Sequence, residues 1–159
     1  MSKKQLFSTR SLCQAAIIAA LYAALTLALP AISYGEWQCR ISEALTLLPV
    51  LMPQAIPGLT VGCLLANLMS PVGAADIIFG TLATLIAALG TWKFRSNMVL
   101  AAACPVLSNG IIIGAMLSIF YGLPLWLTMI QVAVGELVAV LLGVALMHGL
   151  KKLDLKLLK

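Results

Sequence analysis

The sequence predicts an all-α membrane protein, a bundle of six transmembrane helices, and three observations carry that prediction. Hydrophobic residues make up 62% of the 159 and charged ones only 9%, against about 25% charged in ordinary globular chains. Only seven formal charges stand between Ser11 and Gly149. The basic residues gather in three clusters, at the two ends and around Lys93 and Arg95. A charged side chain at the bilayer centre costs at least ~2.5 kcal/mol, so long runs stripped of charge are suited to lipid.

The elements follow in order. Lys3, Lys4 and Arg10 precede a first apolar run over 11–29. Its outline is that of a signal peptide, but the run is long and Pro30-Ala-Ile-Ser is a poor cleavage site, so the segment reads as a retained first helix. Further runs cover 43–70, 74–92, 97–120 and 124–149, each near or above the ~20 residues that a span requires. The run over 43–70 contains Pro49, Pro53 and Pro57-Gly58, so it is either one broken helix or two short helices joined at Ile56-Pro57-Gly58. Charge decides between the two, because lysine and arginine accumulate on the cytoplasmic side. With the amino terminus inside, two helices here return the chain to the cytoplasm at Lys93 and Arg95, and again at Lys151, Lys152, Lys156 and Lys159. A single helix would put both groups outside. Six helices with cytoplasmic termini follow, with the Pro57 turn inside, residues 30–42 as an external loop, and residues 1–159 as one domain.

The net charge of +5 comes from terminal and loop residues flanking apolar runs, which marks membrane boundaries rather than nucleic-acid binding. Cys13, Cys39, Cys63 and Cys104 are isolated from one another and read as apolar packing residues, with no metal site and no cofactor expected. His148 sits beside Lys151 and Lys152 as a boundary residue. Phosphate-loop, zinc-protease and Ser/His/Asp patterns are absent, so the chain is expected to be no enzyme and to hydrolyse no ATP itself.

Small residues recur at four-residue spacing, which lets helix backbones approach closely. Gly58 with Gly62, Gly110 with Gly114, and Gly135, Ala139 and Gly143 read as internal packing. The first helix carries two alanine rows, Ala15, Ala19 and Ala23 beside Ala16, Ala20 and Ala24, and these offer a strip for either an internal or an external helix.

At ~1.5 Å per residue, each polar residue acquires a depth. Glu43, Asn67 and Asp76 fall at the outer side, Asn109 and Glu136 near the midplane. Uncompensated carboxylates and amides are costly in hydrocarbon, so these residues should face the bundle interior and form a pocket opening outward. Gln131 and Glu136 are about 140° apart on a helix, and the acid is the better choice for the interior. Each residue also has a plainer reading. Asp76 can cap its helix, Arg40 and Glu43 can pair across one turn, and Asn67 and Asn109 can be interhelical glue. Glu136 can be a protonated acid bonded to a neighbouring helix, and Tyr34, Trp37 and Trp126 can be interfacial aromatics. A membrane component that binds a small solute is the reading these residues support.

Three stretches carry a resemblance: Arg40-Ile-Ser-Glu43-Ala-Leu-Thr-Leu-Leu-Pro49, Ile56-Pro-Gly-Leu-Thr-Val-Gly-Cys-Leu-Leu-Ala-Asn67-Leu, and Asp76-Ile-Ile-Phe-Gly-Thr-Leu-Ala-Thr84-Leu. Together they resemble the QueT family, substrate-binding S components of energy-coupling factor (ECF) transporters in bacterial plasma membranes. The resemblance implies uptake of a queuosine precursor, 7-aminomethyl-7-deazaguanine or queuine. It also implies a transmembrane coupling protein, EcfT, and two cytoplasmic ATPases as partners. On that resemblance the alanine rows of helix one, Ala15, Ala16, Ala19, Ala20 and Ala23, look like the docking surface for the coupling protein.

A guanine-like edge offers two adjacent donors and one carbonyl. Glu136 or Glu43 with Asn109 or Asn67 can read it, a second acid suits the aminomethyl cation, and Trp37 or Tyr34 can stack on the ring. Arg40 and Asp76 complete the expected site. An S component for another vitamin, such as thiamin or a flavin, is the alternative within the class. A stand-alone ion-coupled carrier is the alternative outside it, disfavoured by the lack of repeated halves. An intramembrane enzyme would need carboxylate clusters that the scattered acids do not supply.

Overall fold

The computed structural model describes residues 8–35 and 38–152, and the described residues contain helices and turns without a strand. Of the basic residues that set the expected orientation, Lys3, Lys4, Lys156 and Lys159 lie outside the described residues.

Helix α1, Thr9–Ala28, starts at Ser8, whose hydroxyl accepts from Ser11 N at 3.2 Å. It ends before Leu29-Pro30, since a residue preceding proline is pushed out of helical backbone. Pro30 then opens a single turn, α2, Pro30–Ser33. Helix α3, Ile41–Val50, is wound as a tight 3₁₀ helix, with Ser42 through Pro49 all buried. Helix α4 is Ala55–Asn67. At ~2.0 Å per residue for 3₁₀ and ~1.5 Å for α winding, each of these two spans roughly 20 Å.

The break between them falls at residues 51–54 rather than at Ile56-Pro57-Gly58. Pro53 has no N–H with which to prolong α3. Pro57 is the third residue of α4, where the first-turn N–H has no intrahelical partner to lose.

Helix α5, Asp76–Lys93, begins with a widened π turn over Asp76–Gly80. Helix α6, Met98–Tyr121, is capped by the Asn97 side chain, which accepts from Val99 N and Leu100 N, and it stops at Gly122 with φ +67°. Pro105 inside α6 cannot donate to the Ala101 carbonyl. Thr91 Oγ1 of α5 donates to that carbonyl at 3.1 Å instead, which closes the gap and ties α5 to α6. Helix α7 is Leu125–Lys152.

Glycines set the closest helix contacts. A Cβ at Gly58 would lie 2.6 Å from Ala15 O, and one at Gly62 2.7 Å from Ala19 O, so α4 rests directly on the backbone of α1. In the same way Gly114 abuts Met129 of α7, and Gly143 abuts Ala44 of α3, where a Cβ would lie 2.5 Å from Ala44 O. The internal-packing reading of these glycines stands. The alanine rows need correction: Ala15 and Ala19 are buried beneath α4, Ala23 is half-buried, and Ala16 and Ala20 are exposed. The row with the smooth face meets an internal partner, because Gly58 and Gly62 supply the matching close approach.

Ala15 opposite Gly58 and Ala19 opposite Gly62 make α1 and α4 parallel. Gln54 Nε2 donates to Gln14 Oε1 at 2.8 Å, which puts the 51–54 turn beside the start of α1. Thr26 and Ser42 hydroxyls meet at 2.6 Å, which puts the start of α3 beside the end of α1. The chain thus runs out in α1, back in α3, out in α4, back in α5 to Lys93, out in α6 and back in α7 to Lys152. The start of α1, the 51–54 turn, the 94–97 connection and the end of α7 share one end, here the basic end. Residues 29–35, 38–40, 68–75 and 122–124 share the other, the far end.

Helices α1, α5, α6 and α7 are long and apolar enough to cross a membrane, and α3 and α4 are shorter apolar helices. Large apolar side chains point outward along the long ones; Val99, Ile119 and Trp126 are each at least 75% exposed. In water such a surface would be unfavourable by ~25 cal/mol per Å², whereas lipid tails cover it without cost.

Candidate functional site

The polar interior divides into two tiers. The outer tier is an ion-pair network at the far end, centred on Arg40. Its Nη2 lies 3.0 Å from Asp76 Oδ2 and 3.0 Å from Gln38 Oε1, its Nη1 donates to Asn67 Oδ1 at 3.0 Å, and its Nε donates to Ser33 O at 3.2 Å. The guanidinium also sits over the Tyr34 ring, 5.3 Å from its centroid. Burial opposes the Arg40 charge, but the Asp76 carboxylate outweighs it and holds the pKa above its ordinary value.

The partners are themselves tied down. Asp76 Oδ2 accepts from Ser70 Oγ at 2.5 Å, and Asn67 Nδ2 donates to Asp76 O at 2.9 Å. Gly80 makes room for that amide: a Cβ there would lie 2.5 Å from Asn67 Nδ2. Tyr34 OH donates to Ala66 O at 2.6 Å, so α2 is stitched to the end of α4. These bonds tie the far-end loop to the end of α4 and the start of α5. Arg40 pairs with Asp76 rather than with Glu43, and Asp76 Oδ2 serves Arg40 and Ser70 while its Oδ1 is buried without a partner among the described residues, so α5 has no side-chain cap.

The inner tier lies deeper. Glu43 Oε1 accepts from Tyr22 OH in a short hydrogen bond and from Thr84 Oγ1 at 3.4 Å. Glu136 of α7, 2% exposed, and Asn109 of α6, 5% exposed, face the same space. Gln38, Arg40, Glu43, Asn109, Ile113, Val132 and Glu136 line one hollow of ≈ 10 Å³, room for about one water.

Four polar atoms on this lining are buried and complete no full hydrogen bond among the described residues, Gln38 Nε2, Glu43 Oε2, Asn109 Nδ2 and Glu136 Oε1, with the Asn109 side chain close enough to interact with both carboxylates. They come from the far-end loop, α3, α6 and α7. An unpaired buried polar group costs ~1–3 kcal/mol, so four converging on one point are unusual in a region that serves packing alone. Two are acceptors and two are amide donors, and apolar Ile113 and Val132 belong to the same lining. Such a set can clasp a flat molecule that carries donors and acceptors on its edge.

The sequence-predicted residues therefore separate. Glu136, Asn109, Glu43 and Arg40 share the hollow; Asn67 and Asp76 do not line it. Tyr34 lines a second cavity of ≈ 400 Å³ at the far end, with Gly35, Gln38, Val72, Leu117, Tyr121 and Leu123. Trp37 lies outside the described residues. Gln131 is only half-buried, as its angular separation from Glu136 demands.

Sequence reasoning missed Tyr22, Thr84 and Gln38. Tyr22 and Thr26 continue the buried stripe of Ala15, Ile18 and Ala19 at helical spacing, so that signal was present. Gln38 carried none: its place depends on a positive φ of +46° that a glutamine rarely adopts.

A family profile described as QueT transporter matches residues 12–152. The queuosine precursor transporter QueT of Lactococcus lactis subsp. cremoris is 42% identical over 73 residues, which covers 45% of this chain and 43% of that relative. The aligned stretch thus spans less than half of the curated relative. No solved structure matches the chain. With the family match running through nearly all of the sequence and four long apolar helices in place, the chain is a multi-pass membrane protein that belongs to the QueT transporter family.

Proposed function

We propose that this chain is the substrate-binding S component of an ECF-type importer and that it captures 7-aminomethyl-7-deazaguanine or queuine. The carrying observation is the convergence of four unpartnered polar atoms on the inner hollow. A carboxylate accepts both N–H donors of a guanine-like edge, and an amide donates to the neighbouring carbonyl. Charge supports the same ligand. Arg40 pairs with Asp76, while Glu43 and Glu136 share the buried hollow with that guanidinium and form no ion pair of their own among the described residues. The amine of either deazapurine supplies the missing positive charge.

At ≈ 10 Å³ the hollow is too small for a bicyclic ligand, which enters only once it widens. Access is from the far end, where the ≈ 400 Å³ cavity shares Gln38 with the hollow. Six crossings, α3 and α4 included, with the basic end cytoplasmic put that entrance outside; Arg10, Lys93, Arg95 and Lys152 at the basic end support this orientation. ATP is hydrolysed by two cytoplasmic ATPases, coupled through EcfT. The strip open to that partner on α1 is Ala16 and Ala20, since Ala15 and Ala19 lie beneath α4.

The test is thermal stabilisation of the detergent-purified chain by 7-aminomethyl-7-deazaguanine, queuine, guanine and thiamin. A ligand at 100 times its Kd stabilises by ~2.7 kcal/mol, which for a chain of this size raises Tm by roughly 5–11 °C. The two cationic deazapurines are expected to do this and guanine to do less. A shift with thiamin and none with either deazapurine refutes the proposal.

A further inference from the structure

We propose that Gln38 reads the ligand, and that its side-chain N–H is the donor that selects a carbonyl on the bound ring; this rests on the deazapurine reading above. Three observations single it out. Gln38 is 4% exposed, and its Nε2 is buried without a partner among the described residues. It is the residue common to the inner hollow and the ≈ 400 Å³ outer cavity. Its backbone takes a φ of +46°, a conformation that is unfavourable for a non-glycine residue and recurs at ligand clamps.

The orientation of the amide is fixed by chemistry. The Arg40 guanidinium has only donors, so the Gln38 atom 3.0 Å from Arg40 Nη2 must be the carbonyl oxygen. The other end of the amide is then N–H, and it is this end that lacks a partner. Arg40 in turn is immobilised by Asp76, Asn67 and Ser33. The outer tier thereby acts on the inner one: it holds a glutamine so that a donor, never an acceptor, meets the ligand. A locked donor discriminates strongly, because a ligand that offers a donor at the same place leaves two N–H groups facing each other.

The experiment measures Kd for two ligands on three proteins by equilibrium binding to the full chain in detergent. The ligands are 7-aminomethyl-7-deazaguanine and its counterpart with an amino group in place of the ring carbonyl. The proteins are wild type, Gln38→Glu and Gln38→Met. Gln38→Glu keeps the oxygen that faces Arg40 and turns the free donor into an acceptor; Gln38→Met removes the donor.

Wild type should favour the carbonyl ligand by about tenfold or more. Gln38→Met should bring that ratio close to one, and Gln38→Glu should invert it. An equal loss of both ligands in the variants, with the ratio kept, assigns Gln38 a purely structural role and overturns the inference. Should Gln38→Glu fail to fold, the Gln38→Met ratio decides alone. Wild type that binds neither ligand overturns the deazapurine reading itself, an outcome distinct from a retained ratio.

Discussion

Asp76→Asn isolates the Arg40 network, because it removes the carboxylate charge while keeping nearly the same shape. Arg40 is 4% exposed and Asp76 fully buried, so the variant strands a guanidinium that water barely reaches. Asn67, Gln38 and the Ser33 carbonyl still accept from it, but none of them carries charge. Removing one member of a buried pair costs about 3–5 kcal/mol. At ~2–4 °C per kcal/mol for a chain of this size, Tm should fall by roughly 6–20 °C.

The control is the paired replacement Arg40→Met with Asp76→Leu, which leaves no unpaired charge. It should be clearly more stable than Asp76→Asn, as buried ion pairs exchanged whole for apolar residues are often neutral. The assay is thermal unfolding in detergent followed by far-ultraviolet circular dichroism. A fall in Tm below ~2 °C for Asp76→Asn, at odds with the cost of an unpaired buried charge, would refute the reasoning. So would a paired replacement whose loss equals the sum of the two single losses, since residues in one network should not add.

Four further expectations use the same stability assay or ligand binding. Thr91→Val removes the side-chain donor to the Ala101 carbonyl that Pro105 leaves open, and it should cost ~1–3 kcal/mol. Gly143→Ala puts a Cβ 2.5 Å from Ala44 O, so crowding of ~1–3 kcal/mol should outweigh the helix-propensity gain of ~1 kcal/mol. Gly149→Ala, with open space around the added Cβ, should be neutral or stabilising. Glu136→Gln should weaken 7-aminomethyl-7-deazaguanine by roughly 30-fold or more, the equivalent of ~2 kcal/mol for a buried charge partner. An analogue without the amine should lose far less; equal losses would detach Glu136 from the ligand cation.

Much of the fold was legible because lipid imposes simple rules. Charge stripped from five long runs, and basic residues left at their ends, sufficed to mark where α1, α5, α6 and α7 lie. The proline-rich run was read correctly as two helices, and the break was misplaced because Pro57 and Pro53 look alike in sequence. They differ only in whether a helix turn starts or stops there.

Depth was legible too: Asn109 and Glu136 each stand twelfth in their helices and meet across the hollow. Azimuth was less so. Asn67 and Asp76 lie at the outer level and turn toward Arg40, whereas Glu43, expected beside them, sits in the deeper tier with Asn109 and Glu136; no periodic pattern reports which of several acids a buried arginine will select. The alanine rows show the same limit. A smooth stripe signals a close helix contact, and only the glycines at 58 and 62 reveal that the contact for Ala15 and Ala19 is internal. Gln38 depends on a left-handed residue in an irregular segment, where neither period nor propensity speaks.

The most direct measurement is an experimental structure of the chain with 7-aminomethyl-7-deazaguanine bound. The ring should lie between Ile113 and Val132, within hydrogen-bond distance of Gln38, Asn109 and at least one of Glu43 and Glu136, with the Arg40–Asp76 pair intact. Ligand confined to the far-end cavity beside Tyr34 and Tyr121, with the four inner polar atoms still facing a closed hollow, would contradict the assignment.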